Sequence, residues 1–163
     1  RLDFLYGRRM TMSDGEEGNG VPKITENTSQ SIKFSARYLP QENLSVMIRA
    51  DYKMCRPGNS SGFMIISDLT YRINKIPLSV WLRYALFDTD DWDSRIYTYE
   101  NDLVWSFSVP AFSGQGSRSC IMISYDTGRK SEFRIKYGIT SLNVLHPFHD
   151  ESRELKFQFR VWF

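Results

Sequence analysis

The densest group of potential ligands is acidic. Asp88, Asp90, Asp91 and Asp93 fall within six residues. Hard carboxylate oxygens at that density suit Ca²⁺. An EF-hand-like loop opening at Asp88 needs glycine at its sixth position, where Asp93 stands, and a bidentate Glu at its twelfth, where Tyr99 stands. The alternative is a solvated loop whose charges keep the end of a hairpin out of an apolar phase. His146 and His149 have i, i+3 spacing, but Pro147 between them opposes the helix that would align them. No G-x-S-x-G elbow and no phosphate-binding P-loop occurs, and Gly114-Gln-Gly116 signals a turn. Asn27-Thr-Ser29 and Asn59-Ser-Ser61 match the glycosylation sequon, which carries meaning only in a eukaryotic secretory setting. Cys55 and Cys120 leave one disulfide or two free thiols open. These constellations nominate no catalytic residue, no metal ligand and no cofactor.

The elements around them are strands. Apolar residues recur at every second position almost throughout, and helical spacing is nearly absent. Leu155, Phe157, Phe159, Val161 and Phe163 oppose Lys156, Gln158, Arg160 and Trp162. Phe133, Ile135, Tyr137 and Ile139 oppose Arg134 and Lys136; Leu82, Tyr84 and Leu86 oppose Arg83 and Ala85. Val46, Ile48 and Ala50 oppose Arg49 and Asp51. The pattern predicts ten strands, at 1–6, 32–38, 44–53, 63–73, 78–87, 94–100, 103–110, 118–125, 131–140 and 154–163. Segment 7–31, with Gly15, Gly18, Gly20 and Pro22, is expected as a long outer loop. A break at Glu100-Asn101-Asp102 makes long and short connections alternate, as in membrane barrels. The alternation itself sets that break. Strand 94–100 falls short of the ~9–11 residues that cross a bilayer at a tilt.

Composition bounds the class. The chain has 163 residues, 21 Lys+Arg against 19 Asp+Glu, 41% apolar and 15% aromatic residues. Mean hydropathy is −0.42, and no apolar run approaches the ~18 residues of a spanning helix. A net charge of +2 is too small to point to nucleic acid. The opening at Arg1, with no apolar targeting segment, is expected of a processed chain or an excised fragment.

Alternation allows two orientations. A soluble barrel turns its apolar faces inward; a membrane barrel turns them to lipid and lines its lumen with the polar faces. Three features favour lipid: the bulk of the apolar faces, aromatic residues toward strand ends, and the opposing cations. The candidates for the lumen are Arg37, Arg49, Asp51, Asp68, Arg83, Arg134, Lys136 and Arg160.

The segment Glu154-Leu-Lys-Phe-Gln-Phe-Arg-Val-Trp-Phe163 resembles the last strand of bacterial outer-membrane barrels, which ends in an aromatic residue. That resemblance implies recognition by the barrel assembly machinery through Phe157, Phe159, Val161 and Phe163. The stretch from Arg83-Tyr-Ala-Leu-Phe to Ser-Phe-Ser-Val-Pro110 looks like part of the C-terminal barrel region of large Bacteroidetes envelope proteins that carry helix-hairpin-helix repeats nearer their N-terminus. The likeness spans about residues 32–163 and does not extend to the repeats, so it implies location and fold and no DNA binding. The expected protein is an all-β, antiparallel, up-and-down transmembrane β-barrel of about ten strands, or the C-terminal part of a larger one. Its expected role is structural, complex-forming or narrowly transporting, in the bacterial outer membrane. Its partners would be lipid, the assembly machinery and other envelope proteins. The alternatives are a soluble lipocalin-like barrel with an apolar ligand, and an outer-membrane hydrolase with Ser and His in contact.

Overall fold

The computed structural model describes the backbone of residues 1–15, 23–128, 130–143 and 150–162, and their side chains apart from 13–15 and 23–26. The fold is all-β. The strands are β1 (Leu2–Gly15), β2 (Lys23–Gln41), β3 (Leu44–Arg56), β4 (Ser60–Arg72), β5 (Leu78–Thr89), β6 (Ile96–Tyr97), β7 (Ala111–Phe112), β8 (Gln115–Asp126), β9 (Ser131–Leu142) and β10 (Asp150–Val161). Eight of them form one antiparallel sheet in the order β1-β2-β3-β4-β5-β8-β9-β10, and β6 and β7 pair separately.

The antiparallel up-and-down order agrees with the sequence pattern, but three expectations need correction. First, among the described residues the sheet has eight strands. Residues 94–100 and 103–110 cross nothing: they belong to an insertion, residues 90–114, that folds back over one face of the sheet. Its Ile96 and Tyr97 pair with Phe112 and Ala111, and Glu100 bridges to Ser108. Segment 94–100 was already short for a spanning strand, and Glu100 and Asp102 have partners on the sheet. Second, segment 7–31 is mostly strand. Gly7 pairs with Ser31, and the ladder runs to Gly15 opposite Lys23. Polar residues concealed this hairpin, because alternation is faint where Met10 and Met12 are its only large apolar residues on β1 beyond Gly7. Third, among the described residues the sheet does not close. β1 pairs only with β2 and β10 only with β9.

Register fixes which residues share a face. Across the sheet, Lys33 stands opposite Asp51, Asp51 opposite Met64, and Met64 opposite Phe87. Phe87 then stands opposite Gly116, and Gly116 opposite Leu142. Residues in phase with this row lie on the face that the insertion covers. Residues out of phase lie on the opposite, bare face. Side chains alternate strictly along a strand, so Arg83 is 6% exposed while its neighbour Leu82 is 40% exposed.

Candidate functional site

The insertion acts as a strap across the covered face. It leaves the sheet at Thr89, where the Thr89 amide donates to the Gly114 carbonyl at 3.0 Å and the Gly114 amide to Thr89 Oγ1 at 2.8 Å. Gly114 holds φ at +81°, a value glycine takes without strain. The acidic cluster shapes this exit. Asp90 Oδ2 accepts from the Ser61 amide and hydroxyl, and Asp91 Oδ1 accepts from the Ser94 amide. Asp88 Oδ2 accepts from Gln115 Nε2. Among the described residues no three His, Cys, Asp or Glu side chains come together as a metal site.

The strap first passes over β3 and β4. Lys53 Nζ donates to the carbonyls of Asp93 and Arg95, at 2.6 and 3.2 Å. At Gly62 a Cβ would lie 2.4 Å from the Ser94 carbonyl oxygen, so only glycine admits the strap here. Beyond it, Met64, Ile66, Ala85, Phe87, Ile96 and Phe112 form a small buried apolar cluster, with Phe87 and Phe112 rings 5.0 Å apart. Among the described residues this is the buried apolar cluster that joins strap and sheet.

Further along, the contacts become ionic. Arg83 forks onto Asp68 with two bonds of 2.6 Å and donates a third to the Tyr99 carbonyl. Arg118 forks onto Glu100 with two bonds of 2.7 Å. Lys136 Nζ, fully buried, lies 2.7 Å from Glu100 and 3.3 Å from Asp102. Lys156 reaches Asp102 at 2.8 Å. At the far end, the Gln158 side-chain amide exchanges two hydrogen bonds with the Val104 backbone, copying a strand ladder. Burial opposes ionisation of Glu100, and the hydrogen bonds and charges of Arg118 and Lys136 outweigh it, bringing its pKa to about 2. Asp102 is likewise lowered: burial opposes ionisation, but Lys156, the Leu103 amide and Lys136 prevail. Bidentate guanidinium–carboxylate pairs fix geometry as well as charge, so the strap is pinned in one position.

All eight residues nominated for a lumen share the covered face. Asp51, Asp68, Arg83 and Lys136 are buried there, Arg49, Arg134 and Arg160 are half-buried, and Arg37 is exposed. Glu132 collects Arg134 at 2.7 Å and also pairs with Arg160. Phe157, Phe159 and Val161 lie on the bare face of the edge strand β10; Phe163 is outside the described residues. So are His146 and His149, which leaves the Ser–His contact of a hydrolase beyond what the structure describes. Cys55 and Cys120 are free thiols, on β3 and β8 with β4 and β5 between them.

Sequence reasoning missed the acids that satisfy these cations: Glu100 and Asp102, placed in a tight turn, and Glu132 and Glu154. One signal was available. Arg118, Arg134, Lys136, Lys156 and Arg160 all alternate onto one face, and such a row needs acids supplied from elsewhere in the chain.

No family model matches the chain, and no curated protein and no solved structure matches it.

Proposed function

We propose that the chain is wall of an outer-membrane β-barrel, with the bare face toward lipid and the strap inside. The observation that carries this reading is the composition of the bare face. Phe4, Phe34, Ile48, Phe63, Ile65, Leu82, Leu86, Ile135, Phe157 and Phe159 all stand exposed on it. Soluble monomers rarely expose contiguous apolar patches beyond a few hundred Å². Among the described side chains the charges on this face, Arg8, Arg56, Asp88, Glu151 and Arg153, lie toward the strand ends that carry the strap and the 143–149 connection. Tyr38, Tyr71 and Tyr125 lie toward the other end, where phenol rings suit a membrane interface. Strands of 12 and 13 residues exceed the ~9–11 that a tilted crossing needs. A soluble lipocalin-like barrel needs the reverse packing, with these apolar side chains enclosed.

The complete wall has more than eight strands on this reading. An interior formed by about eight strands is filled by its own side chains, whereas here a double-stranded strap reaches from β3 to β10. Open sheet edges are not tolerated in hydrocarbon, so on this reading the free edges of β1 and β10 each need a partner strand. The strap's outer side supports this: Trp105 and Phe107 are 94% and 82% exposed and face away from the sheet that anchors them. A strapped interior makes the barrel a narrow or closed passage with a structural or complex-forming role. The Bacteroidetes envelope resemblance is consistent with that role.

Carbonate-washed membranes from cells producing the protein should retain it, and boiled and unboiled samples should migrate differently on a gel. Recovery of the folded protein from the soluble fraction without detergent would refute the reading.

A further inference from the structure

The covered face has a second half that the strap leaves open, where cations outnumber acids. Three rows of the β1–β3 ladder define it: Arg9, Ser29 and Cys55; Gly7, Ser31 and Lys53; Leu5, Lys33 and Asp51. Gly7, Ser29 and Ser31 give a floor with almost no side-chain bulk. Above it is a cavity of about 420 Å³, adjoining a second of about 250 Å³, with Arg9, Ser29, Lys53 and Arg95 lining both.

The cations around this space have spare donors. Among the described residues the Arg9 side chain makes no hydrogen bond and no ion pair, and the same holds for that of Arg56, which sits in bare-face register at the strand end and reaches the rim of the smaller cavity. Arg95 spends Nε on the Tyr97 hydroxyl and Nη1 on the Trp92 carbonyl, leaving Nη2 unused. Lys53 spends donors on two neutral carbonyls. The acid at the floor, Asp51, is already paired with Arg49 at 3.3 Å and Lys33 at 3.6 Å, and Asp93 lines the smaller cavity. Arg49 and Lys33 offset Asp51, so the positive charge left around the space is that of Arg9, Lys53 and Arg95. Uncompensated guanidinium and ammonium groups select an anion, and guanidinium geometry favours an oxyanion.

We propose that this cavity binds a small, multiply charged oxyanion of the phosphate type, with Arg9, Arg95, Lys53 and Lys33 as its cationic partners and Ser29 and Ser31 as hydroxyl donors. The site belongs to the covered face whatever the bare face meets, so it stands apart from the membrane reading.

Titration calorimetry of the full chain in detergent with inorganic pyrophosphate tests it. The wild type should bind, more weakly as salt rises, and a neutral disaccharide should not compete. Arg9→Gln, which removes an exposed side chain with no partner, should weaken binding several-fold, and Arg9→Gln with Arg95→Gln by tenfold or more. Gly7→Val, which fills the floor without changing a charge, should abolish binding. Arg134→Gln, on the ion-paired half, should leave it unchanged. Each variant is checked for an unaltered thermal transition. No binding of pyrophosphate by the wild type, or equal binding by correctly folded Gly7→Val, would overturn the proposal.

Discussion

The two faces of the sheet carry the same strands and obey opposite rules. On the bare face, Leu82, Tyr84 and Leu86 stand beside Ile121, Ile123, Ile135 and Tyr137 in simple alternation, and none has a specific partner beyond its cross-strand neighbour. On the covered face, residues one position away are locked pairwise. Arg83 goes with Asp68, Arg118 and Lys136 with Glu100, and Lys156 with Asp102. Nonspecific contact suffices where the neighbour is a fluid. Named partners are needed where the neighbour is another part of the chain. The covered face repeats the contrast within itself: toward β8–β10 the charges are matched, and toward β1–β3 cations are in excess.

The largest effect expected from breaking this contrast is on the covered face. Lys136→Met leaves Glu100 and Asp102 buried with fewer partners, which costs about 3–5 kcal/mol. Ile135→Ala, one residue away, should cost far less in detergent, because the side chain it truncates is not enclosed. Thermal unfolding of the two variants, with protease cleavage between 90 and 114 as the local readout, gives the comparison directly.

Next in size is a charge on the bare face. Leu82→Arg should lower stability in bilayers by about 2–4 kcal/mol and have little effect in detergent. An equal cost in both environments would remove lipid from the account. Gly62→Ala should follow, since the Ser94 carbonyl would have to retreat from the new methyl group. The strap entrance should open to protease while the sheet's strand content stays constant.

Acid should loosen the strap. Glu100 has its pKa lowered from 4.5 to about 2 in the folded protein. Its stabilising contribution is therefore complete above the ordinary carboxylate pKa, declines as pH falls below 4.5, and is gone near 2. Proteolysis of residues 90–114 by an acid protease should rise across that window, and Glu100→Gln should remove most of the pH dependence. The smallest effect is on the bare face: Phe133 and Phe159, stacked at 4.4 Å, should show a coupling of about 0.5–1 kcal/mol in a double-mutant cycle.

The sequence disclosed the two faces more readily than the strap. Leu82 beside Arg83, and Ile135 beside Lys136, assign their sides by period alone, so the shared face of Arg37, Arg49, Asp51, Asp68, Arg83, Arg134, Lys136 and Arg160 was legible. Residues 94–110 were not. Ile96, Thr98 and Glu100 are buried by alternation against the sheet, much as strand residues would be, and local pattern cannot distinguish a strap lying on a sheet from a strand within it. The hairpin of β1 and β2 was concealed for the opposite reason, since its outer part carries only Met10 and Met12 in phase on β1, opposite polar residues of β2. The cationic cavity depends on three strands meeting in register, which no single segment reports.

The claim on which the rest depends is that the bare face meets hydrocarbon. Nitroxide labels on single cysteines, introduced with Cys55 and Cys120 replaced by Ser, can be compared in vesicles at Leu82 and Ile135 on the bare face and at Ser35 and Ser124 on the covered face. Labels at Leu82 and Ile135 should collide far more with oxygen than with a water-soluble nickel chelate, and labels at Ser35 and Ser124 should not. Preferential collision with the chelate at Leu82 and Ile135 would contradict the account.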